Sequence, residues 1–266
     1  MRALPLLASG FLALVLPAAA PAAGTAVACF ERNEPAPDSV RAVRMTARGR
    51  DGEKTVVVMR MYGRRSAEGL GQLFLRFDEP AEVKGTSLLV LEQAAGDSQI
   101  YMASPELPTP RRISGPTRAD GMFQTDFSSE DLQRLQQGWQ PGAGEQQQLP
   151  DEQVGERPVY VLETRPAESA YSRIVFWLDQ ESCLPLRVRF YEPGREKPRK
   201  ELTTDPRSNL KHGDQWVAHS ALMRDLEELT TTHLMVDSHE QEKLLADDQF
   251  TVEGLERAVR EGAPAR

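Results

Sequence analysis

The sequence predicts a mainly β protein in which a single curved antiparallel sheet makes one domain. Two observations carry this. Apolar residues recur at every second position in about ten separate segments, the period of a strand with one buried face. Those segments do not alternate with helical ones, so the βα units of a parallel sheet are missing. Size agrees: 266 residues, 39% of them hydrophobic, can bury a sizeable core without metals or many disulfides.

Taken in order, residues 30–39 are polar and proline-bearing and read as a lead-in. Val43, Met45 and Ala47 share one strand face, and Val56 to Tyr62 is a denser run. Asp51-Gly52 between these runs is a hairpin signal. Leu73, Leu75 and Phe77 alternate with Gln72, Phe74 and Arg76, and Pro80 and Gly85 bound a loop before Ser87 to Leu91. Residues 104–118 carry Pro105, Pro108, Pro110 and Pro116, which rules out a regular helix or a central strand there. Ser128 then opens a helix with acids in its first turn, ending at Gly138. Residues 138–150 are rich in Gly, Gln and Pro and read as a mobile surface loop. Strands resume at Val159 to Glu163. In the next pair, Ile174, Phe176 and Leu178 form one face, and Leu186, Val188 and Phe190 alternate with Arg187, Arg189 and Tyr191. Further strands are expected at 200–204, 215–224 and 229–238, and a short helix near Val252 to Val259.

The N-terminus has the layout of an export signal: Arg2, an apolar run from Leu4 to Leu16, then the small-residue stretch PAAAPAAGTAVA. The run is too short to span a bilayer comfortably. Residues 1–28 are therefore expected to be a signal peptide and 29–266 the mature domain, located in the periplasm. Ala20, Ala22, Ala23 and Ala28 all offer cleavage sites. Ala26-Val27-Ala28-Cys29 is also a degenerate lipobox, which makes lipidation of Cys29 the lesser alternative. In an exported protein the two cysteines, Cys29 and Cys183, favour a bridge over two free thiols. Closing so long a loop stabilises by about 5 kcal/mol in the chain-entropy model.

Chemistry is sparse. With 32 Lys plus Arg against 40 Asp plus Glu, the net charge of −8 argues against a nucleic-acid binder. The charged fraction and a mean hydropathy of −0.49 exclude a polytopic membrane protein. No GxSxG, HExxH, Walker A or dinucleotide fingerprint is present. Asp120, Asp126, Glu130 and Asp131 cluster at the helix start, where capping and solvation explain them more cheaply than acid–base work. His233, Asp237 and His239 have even spacing and are expected on one strand face, as exposed histidines and not as metal ligands. Arg111-Arg112 is suited to hold a phosphate or carboxylate, or else to anchor a loop. No cofactor is expected.

Several segments, in this order, resemble the exported outer-membrane lipoprotein-sorting, LolA-like family of uncharacterised proteins. They are Lys84–Glu92 (KGTSLLVLE), the Tyr101/Pro105/Leu107 segment, Pro110–Pro116 (PRRISGP), Phe123–Leu132 (FQTDFSSEDL), Tyr171–Glu192 and Asp248–Phe250. The chain departs from the pattern at Gln124 and Ser129, where the family has glycine and tyrosine, and in the stretch Tyr101 to Arg112. The resemblance implies an unclosed barrel, with one or two helices covering its mouth, that holds an acyl chain on its apolar concave face. Leu73, Leu75, Phe77, Phe176, Leu186, Val188 and Phe190 would line that face. Tyr101, Arg111, Arg112, Asp126, Phe127, Glu130 and Asp131 would form the motif at its lid or rim. The implied function is a monomeric periplasmic carrier of a lipid or lipoprotein acyl chain, with an RND-type exporter as implied partner. The alternatives are a lipid-directed envelope hydrolase using Asp126, Glu130 and Asp131 or the strand histidines, and a non-catalytic accessory protein of such an exporter.

Overall fold

In the computed structural model, residues 24–33, 38–94, 98–114, 118, 120–137, 144–167, 169–241 and 244–261 are described. The chain begins with helix α1 (Gly24–Glu31) and then runs through β1 (Ser39–Arg48), β2 (Lys54–Arg65), β3 (Gly71–Glu79), β4 (Ser87–Leu91), β5 (Gln99–Ala103) and β6 (Arg111–Ile113). Helix α2 (Ser129–Gln136) separates these from β7 (Gly144–Val154), β8 (Arg157–Pro166), β9 (Arg173–Asp179), β10 (Pro185–Tyr191) and β11 (Lys200–Thr204). A small hairpin, β12 (Asn209–His212) and β13 (Gln215–Ala218), precedes β14 (Ser220–Asp225), β15 (Thr230–Gln241) and the closing helix α3 (Val252–Glu261).

Among the described residues thirteen strands form one sheet, ordered β6-β5-β4-β3-β2-β1-β15-β14-β11-β10-β9-β8-β7, and every pairing is antiparallel. The two β blocks join through β1 and β15, and the outer strands β6 and β7 do not meet. The sheet is therefore an open barrel with two edges, as the alternation and the resemblance predict.

One face of this sheet makes the main core. Val43, Met45, Met59, Leu75, Phe77, Leu88, Phe176, Val188, Phe190, Met223 and Leu234 all lie in a single cluster. The same cluster contains Ala26, Cys29 and Phe30 of α1, and Leu132 and Leu135 of α2 with Phe127 just before it. Two short helices thus fill the concave side. On the convex side α3 covers Val40, Tyr62, Phe74 and Leu89.

Several expectations need correction. Residues 144–150 belong to β7, which pairs along β8. Their Gln/Glu-rich composition fits an edge strand, and the register breaks between Leu149 and Glu152 at Pro150. Residues 138–143 lie outside the described residues. The proline-rich segment follows expectation: β6 has only three residues and sits at the sheet edge, where proline neighbours cost no ladder bond. The lead-in is partly helical, because α1 extends to Glu31 and buries Phe30. Residues 215–224 divide between β13 and β14.

Cys29 and Cys183 form a disulfide, which ties α1 to the turn between β9 and β10. Arg157 fixes that turn with a bidentate pair to Asp179, at 2.9 and 2.6 Å. The bridge and the buried position of Cys29 leave it no free thiol for a lipid. Cys183→Ser should lower the unfolding free energy by about 2–5 kcal/mol. Urea unfolding followed by tryptophan fluorescence measures this; a loss under about 1 kcal/mol would mean that packing alone holds α1.

Candidate functional site

Helix α2 begins at a capping box. Ser128 Oγ accepts from Asp131 N at 3.1 Å, and Asp131 Oδ2 accepts from Ser128 N at 2.9 Å. Such reciprocal bonds satisfy two orphan donors of the first turn. The capping expected from the sequence is present, but the acids are not solvated: Glu130 and Asp131 are buried. Asp131 also accepts from Tyr171 Oη at 2.9 Å and pairs with the buried Lys200 Nζ at 3.2 Å. Burial, then the negative charge of Asp131 and Glu130, pushes the Tyr171 phenol well above its usual range, so it stays a donor. Glu130 accepts from Arg134 at 2.9 Å, from Ala170 N at 3.1 Å and from Ser169 Oγ. At the other end of the helix, buried Arg41 donates to the Leu135 carbonyl at 3.3 Å.

Asp126 anchors the segment before the helix. Its carboxylate accepts from Thr230 Oγ1 and from Thr232 Oγ1, the latter at 2.6 Å. Every acid of the motif is thus engaged by structural donors.

Of the predicted lining residues, Leu73, Leu75, Phe77, Phe176, Val188 and Phe190 share the concave core. Leu186 does not. A bulge between Pro185 and Arg187 shifts the register, and Leu186 packs with Trp177 and Val159 in the convex cluster. Of the predicted rim residues, Phe127 is in the core and Tyr101 packs on the convex side beneath α3. Arg111 and Arg112 are exposed on the edge strand.

The histidines rearrange too. His233 and Asp237 are exposed, and Asp237 pairs with Arg44 at 3.1 Å. Asp237 is the extra residue of a bulge opposite Ala42/Val43, so even spacing no longer implies one face beyond it. His239 instead packs with His212, ring centroids 4.9 Å apart, and His212 stacks on His219 at 5.4 Å. No group of three or more His, Cys, Asp or Glu among the described residues has a geometry that could hold a metal ion.

The sequence reading missed Lys200, Tyr171, Arg41 and Phe123. Lys200 and Tyr171 lie 69 and 40 positions from Asp131, and no local spacing signals such partners. Gln124 adopts φ +60, so the left-handed turn suited to the family's glycine persists here with a side chain on it. An open cleft of about 520 Å³ lies beside this turn, lined by Lys54, Val56, Pro80, Val83, Phe123 and Gln124 among others. A second, of about 390 Å³, carries charged groups including Arg48, Glu192 and Glu228.

A model of an uncharacterised protein family matches residues 69–257. The chain belongs to that family. No curated protein matches the sequence. Among solved structures, a Vibrio parahaemolyticus domain described as an outer membrane lipoprotein-sorting protein is 24% identical. Its TM-score is 0.77, over 88% of this chain and 98% of that one. A DUF1329 family protein from Desulfovibrio piger gives the same score and identity, over 88% and 97%. A LolA superfamily protein from Nitrosomonas europaea reaches 0.68 at 18% identity, over 85% and 97%. The fold is therefore LolA-like, as the sequence motifs suggested.

Two outcomes follow from this geometry. Lys200→Met leaves Asp131 buried without its cation and should cost about 3–5 kcal/mol, read by urea unfolding. A change within about 0.5 kcal/mol would show that the pair does not hold α2. Burial, reinforced by Arg41, His212 and His219, lowers the His239 pKa to about 3. The folded value lies below the unfolded one, so this contribution is complete above about pH 6.5 and is lost as pH falls toward 3. Both ring nitrogens are buried but the residue as a whole is half-buried, so we expect a loss of about 2–3 kcal/mol between pH 7 and 4 after discounting for screening. His239→Leu should flatten that part of the stability–pH profile.

Proposed function

We propose that the protein is a periplasmic carrier that shelters the acyl chain of a lipid or lipoprotein on the concave face of the open barrel. The observation that carries this reading is the way α2 covers that face. The helix has eight residues, and hydrogen bonds and ion pairs hold both of its ends. Polar anchors of this kind contribute modestly in net terms, because water replaces them when they part. Phe127, Leu132 and Leu135 are the apolar side chains that α2 and its entry segment lend to the core. Re-exposing three such side chains costs about 6 kcal/mol, and about ten methylenes at ~0.8 kcal/mol each more than offset it. An ordinary membrane acyl chain is long enough to take the helix's place.

The segment before Gly24 serves export in this reading. A cut after Ala28 would fall inside α1 and remove buried Ala26, whereas a cut after Ala22 or Ala23 leaves the helix whole. The similarity of fold to a domain described as lipoprotein-sorting supports the carrier role. Exchange of cargo with an RND-type exporter is the partner that the family resemblance implies.

Native mass spectrometry of protein purified from periplasm without detergent tests the proposal. The expected result is a discrete added mass that organic extraction removes, on a chain beginning at Ala23 or Gly24. A bare mass, together with no uptake of a fluorescent fatty acid, would refute the carrier.

A further inference from the structure

We infer that the turn from Gly121 to Asp126 is the gate through which a long-chain amphiphile enters the barrel tail first, with the Phe123 ring as its plug. This rests on the carrier reading and adds to it a route and a ligand shape.

The cleft of about 520 Å³ lies between β2, the β3–β4 loop and this turn, and its apolar walls are Val56, Pro80, Val83 and Phe123. Val83 and Phe123 are half-buried and pack against the main core. The Phe123 ring meets Phe77 edge-on, with centroids 4.5 Å apart. Phe77 is fully buried in the concave core. The Phe123 ring thus forms a wall of the open cleft on one side and touches the concave core on the other.

The backbone holding that ring is strained. Phe123 has φ +50 and Gln124 has φ +60, two successive residues with side chains in the left-handed region. A bulky side chain there is a steric outlier, and such positions mark switches and clamps more often than passive loops. The strain is confined to the turn. Thr125 N donates to the Met122 carbonyl and Met122 N to the Phe127 carbonyl, each at 2.9 Å, and Asp126 is fixed to Thr230 and Thr232, so the Phe123 side chain is the part that swings while the backbone around it and α2 stay seated. Thr55 Oγ1 donates to Gln124 Oε1 at 2.9 Å, an exposed bond that water can replace.

The ligand class follows from what adjoins the gate. Gln124 also lines the second cleft, of about 390 Å³, where Arg48, Glu192, Arg199, Asp225 and Glu228 supply charges of both signs. When the Phe123 ring swings out, an apolar passage opens beside a charged recess. That pairing suits an amphiphile whose tail passes Val56 and Val83 while its polar head stays in the recess.

Stopped-flow binding of dansyl-labelled undecanoate to the mature protein tests this. Phe123→Ala should raise the association rate at least about fivefold, because a gate open only part of the time scales uptake by its open fraction. Phe123→Trp should bind no faster than the parent. Val83→Trp, which narrows the passage while keeping the plug, should slow uptake, and it serves if the alanine variant fails to fold. If the parent binds the probe and neither Phe123→Ala nor Val83→Trp changes the rate, entry lies elsewhere and the carrier reading stands. If no variant binds the probe, the carrier reading falls and the gate with it.

Discussion

An open sheet with one apolar face is unstable until something covers that face, and the rest of this molecule follows from how the covering is done. In a closed barrel the strands on opposite sides would pack on one another. Here β6 and β7 stay apart, and two short helices take up the remaining space. They are fastened by different physics. Helix α1 is held by a covalent bridge and by Phe30, which packs edge-on against Phe176 at 5.3 Å. Helix α2 is held mostly by buried polar groups. A covalent tie cannot let go in an oxidising compartment, whereas a polar anchor can be traded for water. In the proposed carrier this asymmetry would make α1 the permanent filler and α2 the displaceable one.

The polar anchors are costly to bury and weak in net terms, so their value lies in placement. Asp131 joins its own helix cap, the Tyr171 phenol and the Lys200 ammonium in one contact set. An apolar contact of equal strength would tolerate sliding, but this set is satisfied in one register only. In the proposed carrier such a set would let α2 leave and return to the same seat.

The sheet was legible because each strand facing the core repeats with period two, as in Leu73, Leu75 and Phe77. The same logic failed wherever a bulge intervened. Leu186 is the inserted residue of one bulge and His239 lies beyond the inserted residue of another, and each turns to the face opposite the one its spacing implies. Strand β7 was illegible for another reason: an edge strand needs polar side chains, and GEQQQLPDEQV reads as a loop. At the candidate site the capping motif at Ser128 was visible because its partners are three residues apart. Its depth in the core was not, because burial depends on Tyr171 and Lys200, which the sheet brings in from distant strands. The gate left even less trace, since a left-handed phenylalanine and glutamine carry no composition signal.

Displacing a core helix would threaten most small domains, and the convex side explains why this one can withstand it. Strands β1 to β5 are covered a second time by α3, and Arg76 donates to the Ala258 carbonyl at 3.1 Å to hold that helix down. On β9 and β10, Trp177, Leu186 and Tyr191 form their own cluster, roofed by Arg187 and Arg189 over the indole and by Arg173 over the Tyr191 ring at 3.7 Å. Both blocks of the sheet thus keep a packed layer that does not depend on α2. The strands that carry the α2 anchors Lys200, Thr230 and Thr232 are β11 and β15, between those two layers. For the proposed carrier, burial on the far side would keep the half-barrel's shape while its near side exchanges a helix for a ligand.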